Sequence, residues 1–143
     1  MKRYIGIDYG DVRTGLAVND ALGMLAHGIG MVEAGGPRAL AKKIAMICRE
    51  RQIEEIVLGN PLNMNGTPGP RSEKIAAFSA ILEEETGLPV HLMDERCTTM
   101  AAARYLNETN TRGKKRKAVI DTLSAEIILQ NYMDMKKNNI SPS

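Results

Sequence analysis

The first part of the chain alternates apolar and polar side chains with a period of two residues, the pattern of a half-buried strand. Over residues 3–9 this alternation places Gly6 and Asp8 on one face and the isoleucines on the other. After a Gly-Asp turn, residues 14–19 predict a second strand that pairs with the first. A weaker alternation over residues 27–33 predicts a third strand. We therefore expect the chain to open with an antiparallel meander.

Beyond residue 36 short apolar runs alternate with segments whose apolar residues recur every three to four positions. The runs predict buried strands over residues 56–58 and 90–93, and the longer segments predict helices over residues 37–51, 72–86, 98–107 and 119–136. A meander followed by alternating strands and helices predicts an α/β fold, a mixed sheet with helices on both faces. No linker rich in Pro, Gly or Ser divides the chain, so we expect one domain over residues 1–137 and a frayed tail over residues 138–143.

Three carboxylates lie where such a sheet binds ligands, outside the carboxyl ends of its parallel strands. Asp8 ends the first strand, Glu95 follows the strand over residues 90–93, and Asp121 opens the last helix. Each also has a simpler interpretation. Asp8 suits the start of a turn, Glu95 suits a solvated loop, and an acidic residue in a first helical turn is favoured by the helix dipole.

Asp121 is the most informative of the three. At 100° per residue it shares an arc of its helix with Ala125 and Ile128, whereas Glu126 and Gln130 lie opposite. This arc should face the sheet, and a buried carboxylate requires a partner, a proton or a metal. Carboxylate oxygens suit Mg²⁺ or Mn²⁺, and a pair of such ions can promote phosphodiester cleavage. The three residues therefore predict a metal-dependent nuclease.

Charge supports a polyanionic substrate. The chain of 143 residues has a net charge of only +2, but five cations cluster within six residues: Arg112, Lys114, Lys115, Arg116 and Lys117. Without them the remaining 14 basic and 17 acidic residues form a slightly acidic body. We expect this run to form a loop that attracts a nucleic-acid backbone, although a solvated loop is the simpler interpretation.

Composition excludes several other classes. One Phe and no Trp argue against a platform that stacks many bases. No apolar run is long enough to span a membrane, and two cysteines are too few for a disulfide scaffold or a four-ligand zinc site. A cytoplasmic protein is therefore expected. The sequence leaves the oligomeric state open, a homodimer included.

Four segments resemble the motifs of the YqgF family, also called RuvX. They are GIDYGDVRTGLA at residues 6–17, GNPLNMNG at 59–66, DERCTT at 94–99 and DTLSAEIILQ at 121–130. The resemblance implies an RNase H-like fold and a nuclease whose metal-binding carboxylates correspond to Asp8, Glu95 and Asp121. It also implies a role in maturing the 5′ end of 16S rRNA, so we favour precursor rRNA over branched DNA.

Two arginines adjoin these carboxylates in sequence. Arg13 follows the first strand and Arg96 follows Glu95, and a guanidinium can bind phosphate oxygens with two hydrogen bonds. The simpler interpretation pairs them with Asp11 and Asp94.

Three alternatives remain at this point. One is a Holliday junction resolvase, and another is a nucleic-acid-binding protein without catalysis. The third is a phosphate-binding hairpin like that of actin-like ATPases, for which a single lobe is too short.

Overall fold

The structure is a computed structural model that describes residues 2–10, 12–22, 25–60, 72–94 and 113–137. It describes their side chains except at residues 94, 113–122 and 137. Its strands are β1 (Tyr4–Asp8), β2 (Thr14–Asn19), β3 (Ala26–Val32), β4 (Glu55–Asn60) and β5 (Val90–Asp94). Its described helices are α1 (Pro37–Arg51), α2 (Ser72–Thr86) and α3 (Gly113–Lys137). The predicted strands and helices within these ranges are confirmed, except for the start of α3.

The five strands form one mixed sheet in the order β3-β2-β1-β4-β5. The first three strands pair antiparallel, whereas β4 and β5 run parallel to β1. The parallel strands β1, β4 and β5 therefore have their carboxyl ends at the same edge. The predicted mixed sheet with helices on its faces is confirmed.

Each face of the sheet has its own apolar core. The isoleucines of β1 pack with α1 and α2, where Phe78 and Leu82 are almost fully buried. On the opposite face Ala17 and Val57 pack against α3 through Ala125, Ile128, Leu129, Tyr132 and Met133. Alternation along β1 thus separates the two cores, and Asp8 shares the α3 face with Gly6.

The last helix differs from its prediction at its start. It begins at Gly113 rather than near residue 119, so a loop over residues 113–117 is wrong. Lys114, Lys115, Arg116 and Lys117 are strong helix formers, and their propensity continues the helix through the charged run. Arg112, the predicted helix over 98–107 and the tail over 138–143 lie outside the described residues.

The polar side of α3 also has an unexpected role. Glu126 and Gln130 accept hydrogen bonds from the backbone N–H groups of Gly28 and Ala26, at 2.7 and 2.9 Å. These donors belong to β3, the edge strand beside β2. Helix α3 therefore stabilises an edge whose N–H groups would otherwise be available to another chain. Within the described part of the chain, no helix has both the length and the apolar character of a membrane span.

Candidate functional site

The candidate site lies at the carboxyl ends of the parallel strands. β1 ends at Asp8, β4 ends at Asn60 and β5 ends at Asp94, and Asn60 pairs in register with Asp94. The start of α2 adjoins this edge, because the Ser72 hydroxyl lies 3.4 Å from Asn60 Oδ1. In open α/β sheets this edge is where ligands bind.

Asp8 is half-buried between two glycine positions of neighbouring strands. Gly15 of β2 is its direct partner, and Gly59 of β4 follows Leu58, the partner of Ile7. Neither neighbour carries a side chain beside the carboxylate. Glycine within a strand commonly marks a place where a ligand or another backbone approaches closely. The sequence analysis missed this flanking pair, although glycine inside a strand pattern was a usable signal.

The hairpin between β1 and β2 has a tight backbone. A Cβ atom at Gly10 would lie 2.2 Å from the carbonyl oxygen of Arg13, so only glycine fits there. The Gly10 N–H donates to the hydroxyl of buried Thr14 at 3.4 Å. Arg13 therefore lies at the same end of β1 as Asp8, and no salt bridge of Arg13 occurs among the described residues.

Helix α3 crosses the sheet antiparallel to β1. The Tyr4 ring contacts the Tyr132 ring edge-on at 5.6 Å, and a Cβ atom at Gly6 would lie 2.7 Å from Leu129 Cβ and 3.0 Å from the Ala125 oxygen. Two residues along a strand advance about 6.7 Å, equivalent to four or five residues of helix. Continuing from Gly6 to Asp8 along this direction leads from Ala125 toward the helical turn that contains residue 121.

The structure describes the other predicted site residues to different extents. Glu95 is the next residue after β5, and Glu95, Arg96 and Arg112 lie outside the described residues. Asp121 lies within α3, and the four basic residues from Lys114 to Lys117 lie in its first turns, but their side chains are not described. Among the side chains that are described, no three His, Cys, Asp or Glu residues form a group able to hold a metal. Of the three predicted ligands, only Asp8 has a described side chain.

A cavity of about 300 Å³ opens on the opposite side of the same strand end. Tyr9 lines it and stacks on buried Phe78, with ring centroids 4.2 Å apart and planes inclined by 14°. Lys74 and Ala77 of α2 line another part of its wall. The sequence analysis did not identify this cavity, because its walls come from three separate segments of the chain.

A second polar cluster lies at the far end of the sheet. Glu55, only 10% exposed at its side chain, lies 2.6 Å from His91 Nε2 and 2.5 Å from Lys2 Nζ. Burial alone would raise the pKa of Glu55, but the hydrogen bonds from Lys2 and His91 outweigh burial and lower it. His91 also stacks on Tyr132 at 5.4 Å. This cluster joins β4, β5 and α3 at the opposite end from Asp8.

Thiol chemistry finds no support in the described residues. Cys48 is buried in the α1 core, and burial raises the pKa of its thiol to about 11. The thiol is therefore neutral at pH 7 and a poor nucleophile.

Comparisons with known proteins connect the whole chain to one group. The family model described as "RuvX: Holliday junction resolvase" matches residues 2–135. A relative from Clostridioides difficile (strain 630) is 43% identical over 137 residues, which are 96% of this chain and 97% of the relative. A relative from Geobacillus sp. (strain WCH70) is 46% identical over 138 residues, and the match covers 94% of this chain and 99% of the relative. Both relatives are named pre-16S rRNA nuclease.

Solved structures share the fold at low sequence identity. RuvC of T. thermophilus in complex with a Holliday junction superposes with a TM-score of 0.60 at 13% identity, covering 96% of this chain and 97% of RuvC. Fowlpox virus resolvase with its junction DNA superposes with a TM-score of 0.52 at 10% identity, covering 94% and 98%. These likenesses confirm the predicted RNase H-like fold.

Proposed function

This chain belongs to the RuvX family, and we propose that it is a divalent-metal-dependent nuclease that matures the 5′ end of precursor 16S rRNA in the cytoplasm. The names of the family and of the relatives both indicate hydrolysis of phosphodiester bonds, so the predicted activity class is confirmed. The relatives are named for the rRNA precursor, which supports RNA over branched DNA as the substrate.

One observation supports the site above all others, the crossing of α3 over β1. Tyr132 contacts Tyr4 and Ala125 approaches Gly6, so the helix runs toward its start as the strand runs toward Asp8. We propose that Asp121 thereby adjoins Asp8, and that Glu95, directly after β5, completes the group. The burial of Ser124, Ala125 and Ile128 supports the predicted inward arc of the helix.

The donor set fits the proposed ion. All three side chains are carboxylates, whose oxygens are the usual protein ligands of Mg²⁺ and Mn²⁺. A bound divalent ion would supply an activated water and stabilise the leaving oxygen. The three proposed ligands come from the end of a strand, from the residue after a strand and from a helix. Positions on regular elements, here those of Asp8 and Asp121, hold ligands more rigidly than positions on loops.

The basic side chains at the start of α3 have a role separate from metal binding. Helix α3 has no acidic residue in its first turn, and Lys114, Lys115, Arg116 and Lys117 add positive charge at its positive dipole end. This arrangement is unfavourable by itself and becomes favourable when a phosphate backbone binds there. We propose that these residues bind the backbone, and that Arg13 and Arg96 contact phosphate oxygens nearer the carboxylates.

A cleavage assay tests the proposal. Labelled precursor rRNA and a four-way DNA junction are each incubated with the protein, with Mn²⁺ and with EDTA. We expect the wild type to cleave the RNA only with Mn²⁺. Asp8→Asn and Asp121→Asn should lose this cleavage but keep their affinity for RNA in the absence of metal, because each change removes a metal ligand and no phosphate contact. Asp134→Asn, an exposed position of the same helix, is the matched control.

The other outcomes separate the alternatives. Preferential cleavage of the junction would identify a resolvase. Wild-type cleavage by Asp121→Asn would exclude that residue from the site. Binding of RNA without any cleavage in Mn²⁺ would favour a non-catalytic binding protein.

A further inference from the structure

The cavity beside β1 has no role in the proposed chemistry. Tyr9, which lines it, directly follows Asp8 at the end of β1, so their Cα atoms are about 3.8 Å apart. Alternation turns the two side chains to opposite faces, with Asp8 on the α3 face and Tyr9 packed toward α1 and α2. A strand bound across the end of β1 would therefore reach both.

The walls of the cavity suit a flat, partly polar ligand. The Tyr9 ring rests on Phe78, which is 1% exposed and holds it in place. Val12, 69% exposed, adds an apolar side chain to the lining. Lys74 brings a cation, and the lining also includes the start of α1 at Gly36, where no side chain caps the first turn.

We propose that this cavity binds one unpaired base of the nucleic-acid strand whose backbone lies at Asp8. This inference rests on the proposed function and specifies its substrate as single-stranded next to the cleaved bond. A base has the shape to stack on an aromatic ring, and Lys74 places a positive charge in the wall of the cavity. A volume of about 300 Å³ is at the small end of ligand pockets, which suits a base rather than a larger group. One base pocket is compatible with a chain that has too few aromatic residues for a stacking platform.

The test uses two neighbouring alanines of α2. Ala76 and Ala77 are both exposed, but only Ala77 lines the cavity. Ala77→Met should fill the pocket, and Ala76→Met is the matched control with the same change one position away. Tyr9→Leu removes the ring, and Tyr9→Phe should restore binding because it keeps the stacked ring. Melting curves identify any variant that loses its fold.

Binding is measured in EDTA with single-stranded RNA oligonucleotides that carry one 2-aminopurine at successive positions. The protein has no Trp whose emission would overlap that of the probe, and stacking quenches 2-aminopurine fluorescence. We expect quenching at one position only, and affinity about tenfold weaker for Ala77→Met than for Ala76→Met. An abasic site at that same position should weaken wild-type binding to a similar extent and make the two alanine variants equal.

Several results would overturn the inference. Equal affinities of Ala77→Met and Ala76→Met for the intact oligonucleotide would show that the cavity takes no base, even if the RNA is cleaved. Displacement of the RNA by a free nucleoside monophosphate at similar concentration would identify a site for free nucleotides. If Ala77→Met and Ala76→Met differ in affinity for the RNA but the wild type cleaves nothing, the base pocket is supported and the nuclease proposal is contradicted.

Discussion

At the residue scale Gly6 is the point where β1 lies in close contact with α3. A Cβ atom there would lie 2.7 Å from Leu129 Cβ and 3.0 Å from the Ala125 oxygen, inside the contact distance of real side chains. Gly6→Ala should therefore push α3 away from β1. We expect a loss of about 1–3 kcal/mol in the free energy of unfolding, measured by urea denaturation.

The chain offers a matched control for this prediction. Gly35 has nothing within 4 Å of a Cβ and its φ lies outside the left-handed region, so Gly35→Ala should leave stability unchanged or slightly raised. If Gly6→Ala unfolds at the same urea concentration as the wild type, the helix does not contact the strand this closely. We propose that Asp121 adjoins Asp8 because of this same contact, so cleavage by Gly6→Ala should also fall.

The placement of a single residue was predictable where the two-residue alternation of a strand determined the face of the sheet on which it lies. Alternation assigned Gly6 and Asp8 to one face, and the opposing cores confirm that assignment. The close contacts themselves were not predictable. Gly6 is small because Leu129 lies above it, and Gly15 flanks Asp8 because β2 pairs in one register, and both facts depend on residues distant in sequence.

At the element scale Glu55 of β4 binds His91 of β5, which in turn stacks on Tyr132 of α3. The depressed pKa of Glu55 means that the carboxylate is more stable in the folded chain than in the unfolded one, so it contributes stability above its ordinary pKa of 4.5. This contribution is lost as pH falls through the lower pKa of the folded state. Glu55→Gln should cost about 1–3 kcal/mol at pH 7, and the difference from wild type should shrink below about pH 4.5.

Unfolding curves of both proteins between pH 3 and 7 measure this difference. Glu54→Gln is the control, because Glu54 is the exposed neighbour of Glu55 and contacts only the Arg3 backbone among the described hydrogen bonds. A difference that stays constant down to pH 3 would show that the Glu55 carboxylate is not the source of the stability.

The elements were predicted to within a few residues, because apolar spacing and Gly or Pro boundaries mark them locally. The start of α3 was not predicted correctly. The polarity of the charged run predicts a loop, whereas the helix propensity of Lys and Arg predicts a helix, and the structure has the helix. The contacts of Glu126 and Gln130 with β3 were also missed. A helical projection describes one inward arc, whereas the polar side of α3 also contacts the sheet, at its edge strand β3.

At the scale of the whole molecule, different parts of the chain supply the positive charge and the folded core. The sheet and its two cores are built from residues outside the basic run, and the body without that run is slightly acidic. Positive charge is therefore concentrated at the start of α3, which is the end of the helix that points toward the Asp8 edge. A single domain over residues 1–137 remains a prediction, and it fits the one sheet that the described strands form.

This separation predicts that binding and cleavage can be changed independently. Replacing Lys114, Lys115 and Lys117 with Gln keeps residues of similar helix propensity and removes three charges, so affinity for RNA should fall for every sequence while the fold persists. The slope of log affinity against log salt concentration should decrease by about 0.7–0.9 for each phosphate that the protein no longer neutralises. The matched control replaces exposed Lys42, Arg49 and Lys136 with Gln, which gives the same change in net charge. If the two triple variants have the same salt slope, binding follows total charge, and the start of α3 is an ordinary solvated helix end.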